Sequence, residues 1–273
     1  MKSKRNYLNK SLCLTVLFFL AYGPTWVWMW DRWFEPGSYY GHGLLIPFVS
    51  AFLIWQNRDV LKVIEPQPNG WGMRLLLTGL VLHIMSSWLQ VYFISAFSML
   101  IVLPALALHF YGTKMVRQIL FPIAFLIFMI PLPEVLITDI SFKMKMFAAQ
   151  IAAYLLNDHM RIPAIRVGSL IKMRNAYVMV DDVCSGLRSL ISLTALGSIF
   201  AYWLKGAWWR KLILFLLTIP VAIITNVFRI VLLSFISEVW GPQYAVGFFH
   251  DLTGMLVFVL AFILLYIASR EIE

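Results

Sequence analysis

The sequence predicts an all-α polytopic membrane protein, and three features lead there. Apolar runs of roughly 15 to 20 residues, the length of a membrane-spanning helix, recur from Leu12 to Ala268. The chain is 61% hydrophobic and 13% charged, whereas soluble domains run near half apolar and about a quarter charged. Its 11 Trp and 11 Tyr suit the aromatic belts found where helices cross the headgroups. A membrane β-barrel would show short alternating segments instead.

The net charge of +9 does not argue for nucleic acid as a partner. In a membrane protein, basic residues mostly set orientation. The basic stretch Met1 to Lys10 precedes an apolar run with no small-x-small cleavage site, so a retained first helix is expected.

Eight spans are expected, at about 11–30, 43–56, 73–89, 92–111, 117–132, 185–204, 211–235 and 250–269. Alternate connections are rich in Lys and Arg. They hold Lys2, Lys4, Arg5 and Lys10; then Arg58, Lys62 and Arg74; then Lys114 and Arg117; then Lys205, Arg210 and Lys211; and last Arg270. Of the intervening short connections, the first has only Arg32 and the others have no basic residue. The positive-inside rule then puts both termini in the cytoplasm, and the chain, 1–273, reads as a single membrane-embedded domain without internal repeats.

One long connection, Pro133 to Val183, falls on the outer side. Within Glu134 to Leu156, the residues Phe142, Met146, Ala149, Ala153 and Leu156 recur every three or four. That spacing predicts an amphipathic helix at the interface; a ninth span would reverse the charge pattern of every later loop. Ile165 to Val180 carries β-branched residues around Arg174-Asn175 and predicts a small outer β-hairpin.

Three ionisable residues reach the outer face on separate helices. Cys184 opens the sixth span. Arg229 lies 18 residues after Lys211, about 27 Å of helical rise across a hydrocarbon layer of roughly 30 Å. His250 opens the eighth span. The two cysteines, Cys13 and Cys184, lie on opposite sides and form no disulfide or metal-type spacing.

A thiol, a guanidinium and an imidazole at one depth suit nucleophilic catalysis. The thiolate is the reactive form, and a nearby cation or a helix N-terminus favours it. Arg229 could stabilise that thiolate or the oxyanion of a tetrahedral intermediate. His250 could carry the proton, and His42, in Tyr-Tyr-Gly-His-Gly at the same face, could serve in its place. Each residue also has a plain reading. A membrane cysteine is often a small apolar filler, and a histidine at a helix end is often interfacial. Arg229 is harder to dismiss, because inserting an arginine at mid-membrane costs about 2.5 to 3.5 kcal/mol. It could still pair with Asp181, Asp182 or Asp251. Arg188, one turn after Cys184, has the same ambiguity.

At these residues the chain resembles the exosortase/archaeosortase family. The likeness rests on Cys184-Ser185-Gly186-Leu187-Arg188-Ser189, on Asn226-Val227-Phe228-Arg229-Ile230, and on His250 with Gly254 following. Lesser echoes are His42-Gly43 with Pro47, Pro131-Leu132-Pro133, and Gly168. The resemblance implies a multi-pass enzyme of the plasma (inner) membrane with its site on the outer face. It implies Cys184, Arg229 and His250 as catalytic residues, with Ser185, Gly186, Arg188, Asn226 and His42 in support. The implied partners are exported proteins whose C-terminal tail joins a short motif such as Pro-Glu-Pro, a transmembrane helix and a basic cluster. Membrane lipid surrounds the enzyme, and no metal or organic cofactor is implied.

The expected activity is that of a cysteine peptidase or transpeptidase acting through a thioester. Water or an acceptor amine or hydroxyl would resolve it, and residues alone do not choose between them. The competing reading is a non-catalytic transporter or assembly subunit for an exported polymer. Its sign would be a Cys184 whose loss leaves function untouched.

Overall fold

Proline and glycine punctuate an otherwise helical chain, and the breaks they make shape each part of the fold. A computed structural model describes residues 13–181, 185–245 and 247–272. Two compact units are distinguished, 1–132 and 133–273.

The first unit opens with α1 (Cys13–Ala21) and α2 (Gly23–Phe34), bent by 64° at the break between them. Pro24 lies in the first turn of α2, where its missing amide hydrogen costs little. The break leaves the Ala21 carbonyl unspent, and a buried polar network takes it up. α3 (Leu45–Gln56) and α4 (Arg58–Val63) follow, then α5 (Trp71–Trp88) and α6 (Tyr92–Tyr111), which pack together. His83 on α5 places Nε2 3.1 Å from the Ala21 oxygen and Nδ1 2.8 Å from Ser95 Oγ on α6. A carbonyl only accepts, so the ring donates from Nε2. Thr25 Oγ1 lies 2.6 Å from the same Ser95 hydroxyl. Tyr22 Oη meets Ser98 Oγ at 2.7 Å, and Ser98 donates to the Ser95 carbonyl. These buried hydroxyls thus tie three helices together at the bend.

α7 (Thr113–Phe125) runs into a 3-10 turn, Leu126–Met129. The segment before α3 folds onto this turn. Trp33 Nε1 donates to the Met129 carbonyl at 2.8 Å, and the Leu132 amide donates to Tyr40 Oη at 3.2 Å.

The second unit begins with α8 (Glu134–Asp158), started by Pro133. A three-stranded antiparallel sheet follows: β1 (Ile165–Val167), β2 (Leu170–Lys172) and β3 (Tyr177–Met179). Gly168 turns β1 into β2 with φ +65°. Then come α9 (Leu187–Trp203), α10 (Trp208–Trp240), a 3-10 turn Pro242–Ala245, and α11 (Phe248–Ile272). One core joins Ala149, Ala152 and Leu156 of α8 to Ile171 of β2 and to Val227 and Ile230 of α10. Alanines dominate the α8 side, so the helix lies close against its neighbours. A second core joins Leu193 of α9, Ala222 of α10, and Ala261 and Leu265 of α11.

Several expectations need adjusting. Among the described residues, three helices, Tyr92–Tyr111, Trp208–Trp240 and Leu252–Ile272, are long and apolar enough to cross a membrane. The count reaches five if α1 with α2, and Thr113–Met129 with α8, are each taken as one broken span. Eight were expected. The difference comes from breaks, from short helices and from dilution by polar residues: α3 has 12 residues and α9 has 17, or about 18 and 26 Å at 1.5 Å per residue, and α5, with 18 residues, carries Arg74 and His83. α8 covers the amphipathic segment as expected, but its buried stripe differs. Ala149, Ala153 and Leu156 are buried, whereas Phe142 is exposed and Ile137 and Ser141 take its place in the first half. The hairpin around Arg174-Asn175 is present as β2 and β3, and β1 widens it to three strands.

Cation-aromatic pairs stand at helix ends expected to face the cytoplasm. Arg58 lies 4.2 Å from the Trp55 ring and Arg74 4.5 Å from Trp71, with Arg210 on Trp209 and Arg270 on Tyr266. Such amphipathic pairs suit a membrane interface.

Candidate functional site

Helix α10 supplies the centre of the site. Asn226 and Arg229 are three residues apart, so they project from neighbouring positions of one helix face. Both are buried, at 3% and 8% exposure, in the middle of a strongly apolar helix.

Each of them meets a glycine on another helix. Gly186 precedes α9 with φ +83°, in the left-handed region that side chains disfavour. A side-chain carbon added there would lie 2.7 Å from the Asn226 amide carbon and 2.8 Å from its Nδ2. Gly254 sits in the second turn of α11. A carbon added there would lie 3.1 Å from one guanidinium nitrogen of Arg229 and 3.4 Å from Cζ. Both glycines leave room for a polar side chain of α10.

Sequence distance connects these contacts to the expected catalytic residues. Gly186 follows Cys184 by two residues, and Gly254 follows His250 by one helical turn. Cys184 itself, with Asp182, lies outside the described residues. Of His250 the structure describes the backbone, the third residue of α11. Ser185 is buried, and its hydroxyl accepts the Leu187 amide at 3.3 Å. Arg188 is half-buried in the first turn of α9. The segments carrying Ser185-Gly186, Asn226-Arg229 and Gly254 therefore converge within the second unit.

His42 belongs to the first unit. It is half-buried and hydrogen-bonded to the Phe128 backbone. Burial holds its imidazole below the ordinary 6.5, partly offset by that bond. Beside it, burial pushes the Tyr40 phenol up to about 12, against the opposing effect of the Leu132 amide. A carbon on Gly43 would strike the Trp33 ring. His42-Gly43 and Pro131-Leu132, distant in sequence, thus meet at the 3-10 turn after α7.

Three residues escaped the sequence reading. Glu238 is the sole carboxylate of α10. It accepts the Asn175 backbone amide at 3.0 and 3.2 Å and the Asn175 side-chain amide at 3.1 Å. The tip of the β2–β3 hairpin is thereby fastened to the end of α10. A lone acid in so apolar a helix was the available signal. Ser234 and Ser237 are fully buried, and neither hydroxyl has a hydrogen-bond partner among the described residues. Serines in an apolar helix give no comparable signal, because they commonly bond back to their own helix.

A family model described as transmembrane exosortase matches residues 11–267, nearly the whole chain. No curated protein and no solved structure matches. The matched span contains the Cys-Ser-Gly, Asn-x-x-Arg and His-x-x-x-Gly segments whose glycines and α10 side chains meet in the second unit. Together with the several apolar helices, this match makes the chain a membrane protein of the transmembrane exosortase family.

Proposed function

We propose that the protein is a membrane-embedded cysteine peptidase or transpeptidase that removes the C-terminal sorting tail of exported proteins. The observation that carries this reading is the pairing of Asn226 with Gly186 and of Arg229 with Gly254. One turn of α10 meets the flank of the Cys184 segment and the flank of the His250 segment. A buried guanidinium at that meeting point suits an anionic reacting centre.

In this reading the Cys184 thiolate attacks the scissile carbonyl. A carbon–sulfur bond forms, and the tetrahedral oxyanion collapses to a thioester. The carbon–nitrogen bond breaks, and His250 donates a proton to the departing amine of the tail. His250 then accepts a proton from water or an acceptor amine as that nucleophile attacks the thioester. The thiolate is released and the product leaves as an acid or a new amide. Arg229 stabilises the thiolate or the oxyanion. The Asn226 amide supports the loop at Gly186. The site belongs on the outer face of the plasma membrane, where an exported tail arrives.

The test is co-expression with a tail-bearing protein, comparing wild type with Cys184→Ala. Tail removal is followed by gel and mass spectrometry. Loss of processing in the variant, with the protein still inserted in the membrane, supports the assignment. Equal processing in both would sink it and favour a non-catalytic assembly role. The mass of the new C-terminus separates hydrolysis from transfer. Cys13→Ser serves as the control, since that exposed thiol lies on the first helix.

A further inference from the structure

The three-stranded sheet has two apolar faces. Its register places Ile165, Lys172 and Tyr177 in one row and Val167, Leu170 and Met179 in another, all on the same face. The intervening row, Arg166, Ile171 and Val178, points the opposite way. Ile171 and Val178 belong to the core formed with α8 and α10. An antiparallel sheet with one face on a core should show polar residues on the other. Here five of the six outward positions are apolar, and Ile165, Val167, Tyr177 and Met179 are 56 to 69% exposed. An apolar face of this kind marks a contact with something outside the fold.

The length of α10 tells what lies at that level. The helix has 33 residues, about 50 Å, against a hydrocarbon layer of roughly 30 Å. Its Trp208-Trp209-Arg210-Lys211 start is an interfacial anchor, with Arg210 over the Trp209 ring. From Leu212, about 20 residues cross the hydrocarbon, ending near Val231. The sheet packs on α10 from Val227 and Ile230 up to Glu238. It therefore straddles the boundary between the hydrocarbon edge, at Val227 and Ile230, and the headgroup layer, roughly 5 to 8 Å deep, towards Glu238. Charge agrees with that depth. Residues 161–180 contain Arg161, Arg166, Lys172 and Arg174 and no acid. Lys172 stands within the apolar face itself.

We propose that this sheet is a membrane-surface foot, whose outward face rests in the headgroup–acyl boundary of a lipid leaflet and whose basic residues engage anionic headgroups. The apolar side chains leave water, and the cationic tips remain among the phosphates. The contact is independent of catalysis, so its test does not use activity.

The full chain, carrying Cys13→Ser and Cys184→Ala, receives Val167→Cys or Met179→Cys and an environment-sensitive fluorophore. It is reconstituted in vesicles of phosphatidylcholine with or without phosphatidylglycerol. Quenching by acyl-chain-brominated lipid, with protection from aqueous iodide, is the expected result at both positions. Adding Lys172→Glu should reduce the lipid quenching in the phosphatidylglycerol vesicles by about half while leaving thermal unfolding unchanged. Labels open to iodide and untouched by brominated lipid would overturn the proposal. So would labels shielded from both quenchers, because the face would then be covered by protein, whether a second copy or a substrate segment.

Discussion

The Arg229 guanidinium lies across the backbone of α11 at Gly254, where any side-chain carbon would come within 3.1 Å of it. That spacing is tight, yet the atom approached is the far end of a flexible side chain. Gly254→Ala is expected to leave the protein folded and to slow tail processing on the order of tenfold, by moving the guanidinium a few tenths of an ångström to an ångström. Gly254→Leu should lose more than a hundredfold. Single-turnover processing rates alongside thermal unfolding in detergent check both. Equal rates in all three proteins would show that the guanidinium position does not matter.

Gly186 faces two obstacles to substitution. Its left-handed backbone costs an alanine roughly 1 to 2 kcal/mol, and the Asn226 amide occupies the space. Gly186→Ala should lower the unfolding temperature by several degrees. Combining it with Asn226→Ala should recover the steric part and leave the backbone part. The coupling energy of that double-mutant cycle is the measurement; strict additivity would mean that the two residues do not touch. Activity should stay low in the double variant, since the amide is gone.

Glu238 and Asn175 form one fastening and should behave alike. Glu238→Ala and Asn175→Ala are each expected to cost about 1 to 2 kcal/mol, since charge-assisted bonds at an exposed site are lost. They should also expose the β2–β3 hairpin to proteolysis. Asn175→Ala keeps the backbone amide, so it should be the milder of the two. Limited proteolysis with mass-mapped cleavage sites decides. Cuts confined to other loops would count against the fastening.

His42 makes the first unit sensitive to acid. Its folded value lies below the ordinary 6.5 because burial disfavours the imidazolium. The unfolded chain therefore binds more protons at this position as pH falls below that ordinary value. Stability is present above about pH 6.5 and is lost as pH descends towards the folded value. Unfolding temperatures between pH 7.5 and 5 should fall more steeply for wild type than for His42→Asn. Parallel slopes would remove His42 as the cause.

The long elements were legible in the sequence, and the breaks were harder to read. Tyr92–Tyr111 agrees with the span expected at about 92–111, because Gly112 and the Gln90 turn bound a long apolar run. α10 was anticipated with both ends short, since its Trp208-Trp209 start and Ser-Glu-Val-Trp end look like loop while remaining helical. The bend at Tyr22 was missed. Gly23-Pro24 marks the break locally; the bond from His83 to the Ala21 carbonyl that the break leaves open is tertiary, and no local pattern encodes it. The Phe142 stripe failed for a related reason: α8 packs through alanines, and hydrophobicity alone points to the larger side chain. At the site, the Cys-Ser-Gly and Asn-x-x-Arg segments were visible as motifs. The partner of each glycine was not, because a close approach between helices is set by packing. Glu238 was overlooked because its partner lies 63 residues away.

Gly186 with Asn226, and Gly254 with Arg229, are matched in size: one member is large because the other is absent beyond its α-carbon. Substitution in such pairs is jointly constrained. A relative that enlarges position 186 should shrink position 226 in the same lineage, whereas Arg229, held by its role at the site, should keep position 254 a glycine. The family's sequence record thus becomes a readout of helix spacing in the second unit.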